Sequence, residues 1–413
     1  MKIFDKIKQH KKVAENYFYM TFLQGANLLI GLLLIPYLIR VLGKEAYGTY
    51  IYIFSNIQFF SIFISFGFDF PALKKISLSQ NDNKVKGQTF SEVFTAKISL
   101  FFCCLSIVFL LHLFIPFVRD NFTFYLIIFS TLLVNILFPS WYFQGIQKMK
   151  FVTYINLTLR ILTIPLIFIF IKSPTDLLKY TLIVSLLPLV GGFFTFFYLQ
   201  MKEKIQIRFV RLTSLKTLFA EATPFFWNDA FSTIKGQSVT TILGTFFNME
   251  SVALWDLANK IVSIPRMIIN SINSALFPNV IQNFSIQRIK KIMNIERVLS
   301  LLIIVIIVSL SHWAVLILGG KSMLMAYPLT IVLSFTFYTW LLVGCYINFI
   351  FVPLNRYDLV FKCKLVEIIA LAILLIVSIL FSKNIIFLAI SVVLSELIET
   401  AYCFFVVHKN KLI

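Results

Sequence analysis

Five ionisable side chains lie away from the ends of two consecutive apolar segments, near residues 220–247 and 251–280: Asp229, Lys235, Asp256, Lys260 and Arg266. An ionisable group inside an apolar membrane segment is costly, so each of them is a candidate functional residue. Lysine and arginine neutralise anionic ligands, lysine as a compact charge and arginine through forked hydrogen bonds. A buried carboxyl group can instead exchange a proton. These segments therefore combine side chains suited to anion binding with side chains suited to ion coupling.

The short connection at residues 247–248 predicts that the two segments form an antiparallel helical hairpin. In such a hairpin Asp229 is level with Arg266, and Lys235 is level with Lys260. With a rise of 1.5 Å per residue, the two lysines lie about 19 Å from the turn, which is too deep for easy snorkelling.

Mutual neutralisation would pair Asp229 with Arg266, and Asp256 with Lys260 one helical turn away. Lys235 would then lack an acidic partner and lie beside a like charge, which is unfavourable unless both lysines face water or an anion. The sequence therefore predicts an anion site that includes Lys235 and Lys260.

Other charges in apolar segments are less well placed. Lys97 and Arg160 lie a turn or two into their segments, so they either snorkel to the interface or join Lys235, Lys260 and Arg266 at the anion site. Asp69 and Glu367 lie near segment ends and are weaker candidates. Four carboxylates are candidates for coupling to H⁺ or Na⁺, with packing or ion pairing as the alternative for each: Asp229, Asp256, Glu396 and Glu399.

The elements that hold these residues are predicted to be transmembrane helices. The 413 residues are 59% hydrophobic and 13% charged, whereas about a quarter of the residues in a soluble domain are charged. Segments long enough to cross a bilayer recur along the chain. They lie near residues 17–42, 46–68, 91–115, 122–143, 153–171, 178–200, 220–247, 251–280, 298–318, 327–352, 362–381 and 384–407.

The distribution of basic residues predicts the orientation. Of the 37 lysines and arginines, 25 lie in segments on the same side of the membrane as the N-terminus. Another 7 lie in the loops on the other side, and 5 lie within the spans. Positive residues accumulate in cytoplasmic loops, so both termini are predicted to be cytoplasmic. The net charge of +19 fits an anionic membrane leaflet, and its scatter over short loops argues against a nucleic-acid partner. Ile3, Phe4 and Ile7 indicate an amphipathic surface helix before the first span.

The two halves of the sequence resemble each other weakly, as in Val41-Leu42-Gly43 and Ile242-Leu243-Gly244. We therefore expect an all-α polytopic membrane protein, with about 12 transmembrane helices in two six-helix lobes around a central cavity. The N-terminal lobe would comprise residues 1–208, with the amphipathic segment, and the C-terminal lobe residues 209–413. Such repeats are typical of transporters that alternate access between lobes rather than of fixed channels.

Catalytic, metal and cofactor sites are not expected. The four histidines are scattered, and the five cysteines lack metal-like spacing. Gly320-Lys321-Ser322 resembles the end of a phosphate loop, but Val315 stands where its first glycine should be. A membrane polysaccharide polymerase or glycosyltransferase would need a sizeable outer loop, and the predicted outer connections are short. Sugar stacking on Trp227, Trp255 or Tyr154 is a secondary possibility beside simple packing.

Four motifs occur along the chain: residues 36–43 (PYLIRVLG) with Tyr47-Gly48, Phe66-Gly67-Phe68, residues 141–145 (WYFQG), and Thr223-Pro224-Phe225-Phe226. Together they resemble the Wzx-type polysaccharide and O-antigen flippases of the multidrug/oligosaccharidyl-lipid/polysaccharide exporter superfamily. The resemblance implies outward transport of an undecaprenyl-pyrophosphate-linked oligosaccharide by alternating access, with membrane lipids around it and a polysaccharide polymerase as a candidate partner. The alternative within the superfamily is a drug or cation antiporter, in which carboxylates rather than lysines would be expected in the cavity.

Overall fold

The computed structural model describes residues 2–79, 82–211, 215–282, 285–382, 384–410 and 412. For residues 2–14, 16, 17, 28, 271, 272 and 274–282 it describes the backbone alone. The predicted apolar face formed by Ile3, Phe4 and Ile7 thus lies outside the described side chains.

All regular secondary structure in the described ranges is helical. The α-helices are α1 (Lys2–Ser65), α2 (Asp69–Leu78), α3 (Asn83–Phe114), α4 (Pro116–Asp120), α5 (Phe122–Ser130), α6 (Val134–Leu137), α7 (Ser140–Gly145), α8 (Met149–Phe170), α9 (Leu177–Met201), α10 (Lys216–Phe246), α11 (Met249–Gln282), α12 (Ile286–Gly319), α13 (Ala326–Ser334), α14 (Thr336–Cys345), α15 (Tyr357–Phe381) and α16 (Ile385–Lys409). A π-helical turn at Tyr346–Phe351 continues α14.

Nine helical stretches of the described chain are long and apolar enough to cross a bilayer. The first, Phe18–Ser65, is 48 residues long, more than twice what one crossing needs. Gly43 divides it, because its backbone leaves the helical region at φ 77° and ψ 168°. Helices α10 and α11, with 31 and 34 residues, are also long enough to cross. The prediction of about twelve transmembrane helices is thereby confirmed.

Several predicted boundaries were wrong at their basic ends. Helices α3, α8, α12 and α15 begin at residues 83, 149, 286 and 357, which is 4 to 12 residues before the predicted spans. Lysine, arginine and glutamine favour helices, and their long side chains reach the interface from within a helix. Hydropathy alone therefore places these helix starts too late.

The described chain forms two compact units. One comprises Met1–Leu34 and Ile53–Thr233, and the other comprises Ile35–Tyr52 and Ile234–Ile413. They differ from the predicted lobes in that residues 35–52 join the second unit and residues 209–233 join the first. The division into transport lobes at residues 208 and 209 remains a prediction.

The first unit has an aromatic core. Phe90 stacks on Trp141, with ring centroids 6.0 Å apart, and meets Tyr142 edge to face at 6.1 Å. Tyr142 and Phe143 of α7 are fully buried, so the short helix that carries the WYFQG motif anchors this unit. Burying rings of this size contributes much of the packing energy that a membrane helix bundle relies on.

The second unit packs α12, α14 and the π-helical turn against α15 and α16. Ile289, Phe349, Phe351, Cys363 and Cys403 are all buried in this core. Residues 35–52 join the same unit through polar contacts. The Arg40 guanidinium donates to the Ile317 carbonyl at 2.8 Å, and Lys44 pairs with Glu250 at 2.7 Å.

Gly48 lies in the C-terminal part of α1 and packs against the start of α11. A Cβ atom at Gly48 would overlap the Met249 carbonyl group. Gly48 of the Tyr47-Gly48 motif therefore allows a close helix contact, as small residues do in membrane bundles.

Replacing Gly48 tests this contact. Gly48→Ala should destabilise the protein by about 1–3 kcal/mol, because the new methyl group must displace backbone atoms. Gly236→Ala in α10 is the matched control, since a Cβ there meets nothing within 4 Å. Thermal unfolding in detergent compares the variants, and a Gly48→Ala protein as stable as Gly236→Ala would contradict this packing.

Candidate functional site

Five ionisable side chains of the second unit converge on one buried cluster. Lys235 comes from α10, and two helices supply the other four: Lys364 and Glu367 from α15, and Glu396 and Glu399 from α16. Each of these two helices places its pair three residues apart, so both members lie on the same face. We call these five residues the charged cluster.

Each lysine of the charged cluster bridges two glutamates. The Lys235 ammonium pairs with Glu367 and lies 2.8 Å from Glu396 Oε1. The Lys364 ammonium lies 3.1 Å from Glu367 Oε2 and 2.9 Å from Glu399 Oε1. Glu367 therefore has two lysine partners, whereas the ion pairs of Glu399 in the described residues involve Lys364 alone.

The charged cluster borders a cavity of about 180 Å³. Both lysines, Glu396 and Glu399 line it together with Trp340 and Asn348. The three glutamates are buried, while 27% and 24% of the Lys235 and Lys364 side chains remain accessible. The π-helical turn Tyr346–Phe351 forms one wall, and such turns are frequent at functional sites.

The structure corrects the prediction for Lys235. Its expected lack of an acidic partner was wrong, since two glutamates pair with it. By sequence, Glu367 is a weaker candidate because it lies near a predicted span end, and Lys364 is not among the predicted site residues. Both lie within α15, which begins at Tyr357. The three-residue spacing of Lys364 with Glu367 and of Glu396 with Glu399 was the signal that could have identified them.

The predicted pairing of Asp256 with Lys260 is confirmed, at 2.8 Å. Tyr47 completes this group, because its hydroxyl donates to Asp256 at 2.6 Å and accepts from Lys260 at 2.7 Å. The Tyr47 side chain is buried. Lys260 is therefore neutralised locally.

The groups that contact Arg266 directly are neutral. Its guanidinium donates to the Thr336 hydroxyl and lies 5.7 Å from the centre of the Trp340 ring. Its Nε atom is buried without a hydrogen-bond partner in the described structure. Glu396 acts on it electrostatically, but no ion pair with a described carboxylate forms. A pair between Arg266 and Asp229 would join different units and stays a prediction.

In the first unit, Lys97 is buried and pairs with Asp69 at 2.5 Å. This contact argues for structural neutralisation rather than snorkelling. Arg160 is exposed on α8. Asp229 is partly buried and is contacted by the Asn228 amide at 3.4 Å.

The aromatic candidates for sugar stacking differ in exposure. Trp227 and Tyr154 are about half exposed, whereas Trp255 is buried. Trp255 is therefore a packing residue in this structure. All five cysteines are free thiols.

The number of ion-pair partners predicts unequal effects of two substitutions in the charged cluster. Lys364→Met should cost about 3 kcal/mol or more, because it leaves the buried Glu399 carboxylate without its lysine. Glu399→Gln should cost less than about half as much, since Lys364 keeps Glu367 and the amide still forms hydrogen bonds. Equilibrium unfolding in mixed micelles measures both, and equal losses of stability would argue against this pairing scheme.

Sequence comparison places the chain among proteins of polysaccharide assembly. Residues 13–284 match the family described as "Polysaccharide biosynthesis protein". A "Putative O-antigen transporter" of Escherichia coli (strain K12) is 26% identical over 287 residues, which cover 70% of this chain and 69% of the relative. A protein of the same description from Shigella dysenteriae is 23% identical over 266 residues, covering 64% and 66% of the two chains.

Solved structures with the same fold include transporters of two kinds. An inward-facing multidrug resistance MATE family transporter of the MOP superfamily aligns with a TM-score of 0.73 at 12% identity, covering 93% of both chains. The lipid II flippase MurJ, in an inward closed conformation, aligns with a TM-score of 0.70 at 15% identity, covering 94% of this chain and 87% of its own. With the family match extending over more than half of its residues, the chain belongs to the polysaccharide biosynthesis protein family.

Proposed function

We propose that this protein is a flippase that moves a lipid-linked oligosaccharide, such as an O-antigen or similar polysaccharide repeat unit, to the outer leaflet of a bacterial cytoplasmic membrane. The observation that carries the proposal is the family match over residues 13–284, together with two relatives described as O-antigen transporters. The relatives are transporters, which favours transport over polymerase or glycosyltransferase chemistry.

The fold alone does not separate a sugar-lipid flippase from a drug antiporter. The TM-scores of 0.73 and 0.70 for the MATE transporter and for MurJ are nearly equal. Sequence makes the distinction, because the family and both O-antigen transporter relatives concern polysaccharides. The drug or cation antiporter remains the second candidate.

Moving only the polar head of the substrate limits the energetic cost of transport. The polyprenyl tail would stay in the hydrocarbon, while the pyrophosphate and sugars cross through a polar path between alternating states. Lysine and arginine predominate in the loops on the same side of the membrane as the N-terminus. This distribution supports cytoplasmic termini and transport that begins at the cytoplasmic side.

Among the predicted cations, Arg266 is best suited to contact the pyrophosphate. Lys235, Lys260 and Lys97 each have carboxylate partners in the structure. Arg266 instead keeps a buried Nε donor without a partner among the described residues. A guanidinium can hold two phosphate oxygens at once, which compensates for the loss of their hydration. Arg160, which is exposed on α8, remains a candidate by sequence.

Transport by the Arg266→Gln variant tests this assignment. Loss of a charge-assisted contact should lower translocation by at least about tenfold. The assay follows fluorescently tagged undecaprenyl-pyrophosphate oligosaccharide in proteoliposomes. Arg119→Gln, an exposed arginine outside the site, is the control and should transport normally. Folded wild-type protein that exports a cationic drug and does not move the tagged lipid would instead establish the antiporter.

Glu399 is the favoured carboxylate for ion coupling. Glu399 and Glu396 each pair with one lysine, but Glu396 also accepts a hydrogen bond from the Thr339 hydroxyl. Protonation of Glu399 would therefore cost the charged cluster the fewest polar contacts. Lysine ammonium groups already occupy carboxylate oxygens of the cluster, which leaves few ligands for Na⁺. We therefore propose H⁺ as the coupling ion.

Neutralising Glu399 should separate transport from the proton gradient. In Glu399→Gln, an imposed pH gradient should accelerate lipid translocation by less than about twofold, because a permanently neutral amide cannot exchange protons. Glu203→Gln removes a carboxylate that pairs with Lys148 in the other unit and serves as the control. A gradient response that persists in Glu399→Gln would assign coupling elsewhere.

A further inference from the structure

The N-terminal turns of α12 carry an unusual concentration of basic residues beside exposed apolar ones. Lys290, Lys291 and Arg297 lie within eight residues, and Ile295 and Val298 are more than half exposed. A helix face with this composition resembles the boundary between lipid headgroups and acyl chains.

Two cavities meet at this part of α12. One, of about 240 Å³, lies between α12 and the C-terminal end of α16, where Arg297, Tyr346 and His408 line it. The other is an open surface groove of about 760 Å³ that follows one face of α12 from Gln287 to Leu302. Lys290 and Asn294 line both cavities, so the two form a continuous site.

The charges at this site are not neutralised within the described structure. No carboxylate is among the described residues that line either cavity. Glu296 lies on the buried side of α12, where the Cys345 thiol donates to it at 2.6 Å. The Arg297 Nε atom is buried and has no hydrogen-bond partner in the described residues.

We propose that this site binds an anionic membrane phospholipid. Lys290 and Arg297 would hold the headgroup phosphate, and His408 would border it on the α16 side. One acyl chain would follow Ile295 and Val298 toward Leu302. From Lys290 to Leu302 the helix rises about 18 Å, close to the hydrocarbon depth of one leaflet. Basic pockets between transmembrane helices recognise anionic headgroups in this way.

Both the charge and the shape of the site favour a phospholipid over a soluble anion. A free phosphate would use the basic end only and leave the apolar part of the open groove, which begins at Ile295, without contacts. A zwitterionic lipid would also fill the apolar part, but the positive group of its headgroup would be repelled by Lys290, Lys291 and Arg297. The proposal is independent of what the protein transports.

Lipid titration followed by native mass spectrometry of the full chain tests the proposal. Phosphatidylglycerol should bind wild type at least about tenfold more tightly than phosphatidylcholine with the same acyl chains. The double variant Lys290→Gln and Arg297→Gln should lose this preference. Lys321→Gln with Lys362→Gln changes the net charge equally at exposed positions and should retain it. Thermal unfolding verifies that both double variants are folded.

Three outcomes would overturn the site. The first is equal binding of the two phospholipids by wild type, and the second is an undiminished preference in the Lys290 and Arg297 variant. The third is displacement of phosphatidylglycerol by inorganic pyrophosphate or by undecaprenyl phosphate at equal concentration, which would assign the site to a soluble anion or to the carrier lipid. The transport experiments do not depend on any of these results.

Discussion

The cost of placing charge in hydrocarbon governs the polar interior of this protein. A lysine or glutamate within a transmembrane helix must find an opposite charge, a hydrogen-bond partner or water. In the second unit, α10, α15 and α16 meet that demand together, with two lysines shared among three buried glutamates. None of these helices can neutralise all of its charged side chains with its own residues. The ion pairs between helices therefore determine which helices are neighbours. Pairing of this kind specifies an arrangement even where its net contribution to stability is small.

The same constraint explains the contrast between Lys235 and Arg266. Lys235 is surrounded by carboxylates, so an anionic ligand would have to displace them. Arg266 rests against a hydroxyl group and an aromatic ring, and neither of these competes strongly for a phosphate. Depth within a span therefore does not show whether a cation can meet an anionic ligand, because carboxylates of other helices can neutralise it, as they do for Lys235.

Sequence reasoning predicted the fold well because the bilayer imposes simple rules of length and hydropathy. It also predicted the pairing of Asp256 with Lys260, since both lie on one helix and their separation is a local property. It failed for Lys235, whose partners Glu367 and Glu396 lie more than 130 residues away in sequence. Such contacts depend on which helices pack together and on how each is rotated, and hydropathy contains little of that information. The helix starts were misplaced for a related reason, because basic residues end an apolar run without ending a helix.

Residues 35–52 belong by packing to the second unit, although the chain on both sides of them belongs to the first. Tyr47 bonds to Asp256 and Lys260, and Gly48 fits closely against Met249. The two halves of the sequence are therefore interlaced and cannot be treated as modules joined end to end. A gene cut at the midpoint would encode a C-terminal fragment that lacks part of its own interior. Recombination between relatives would, by the same reasoning, have to exchange the α1 segment together with α11 to preserve these contacts.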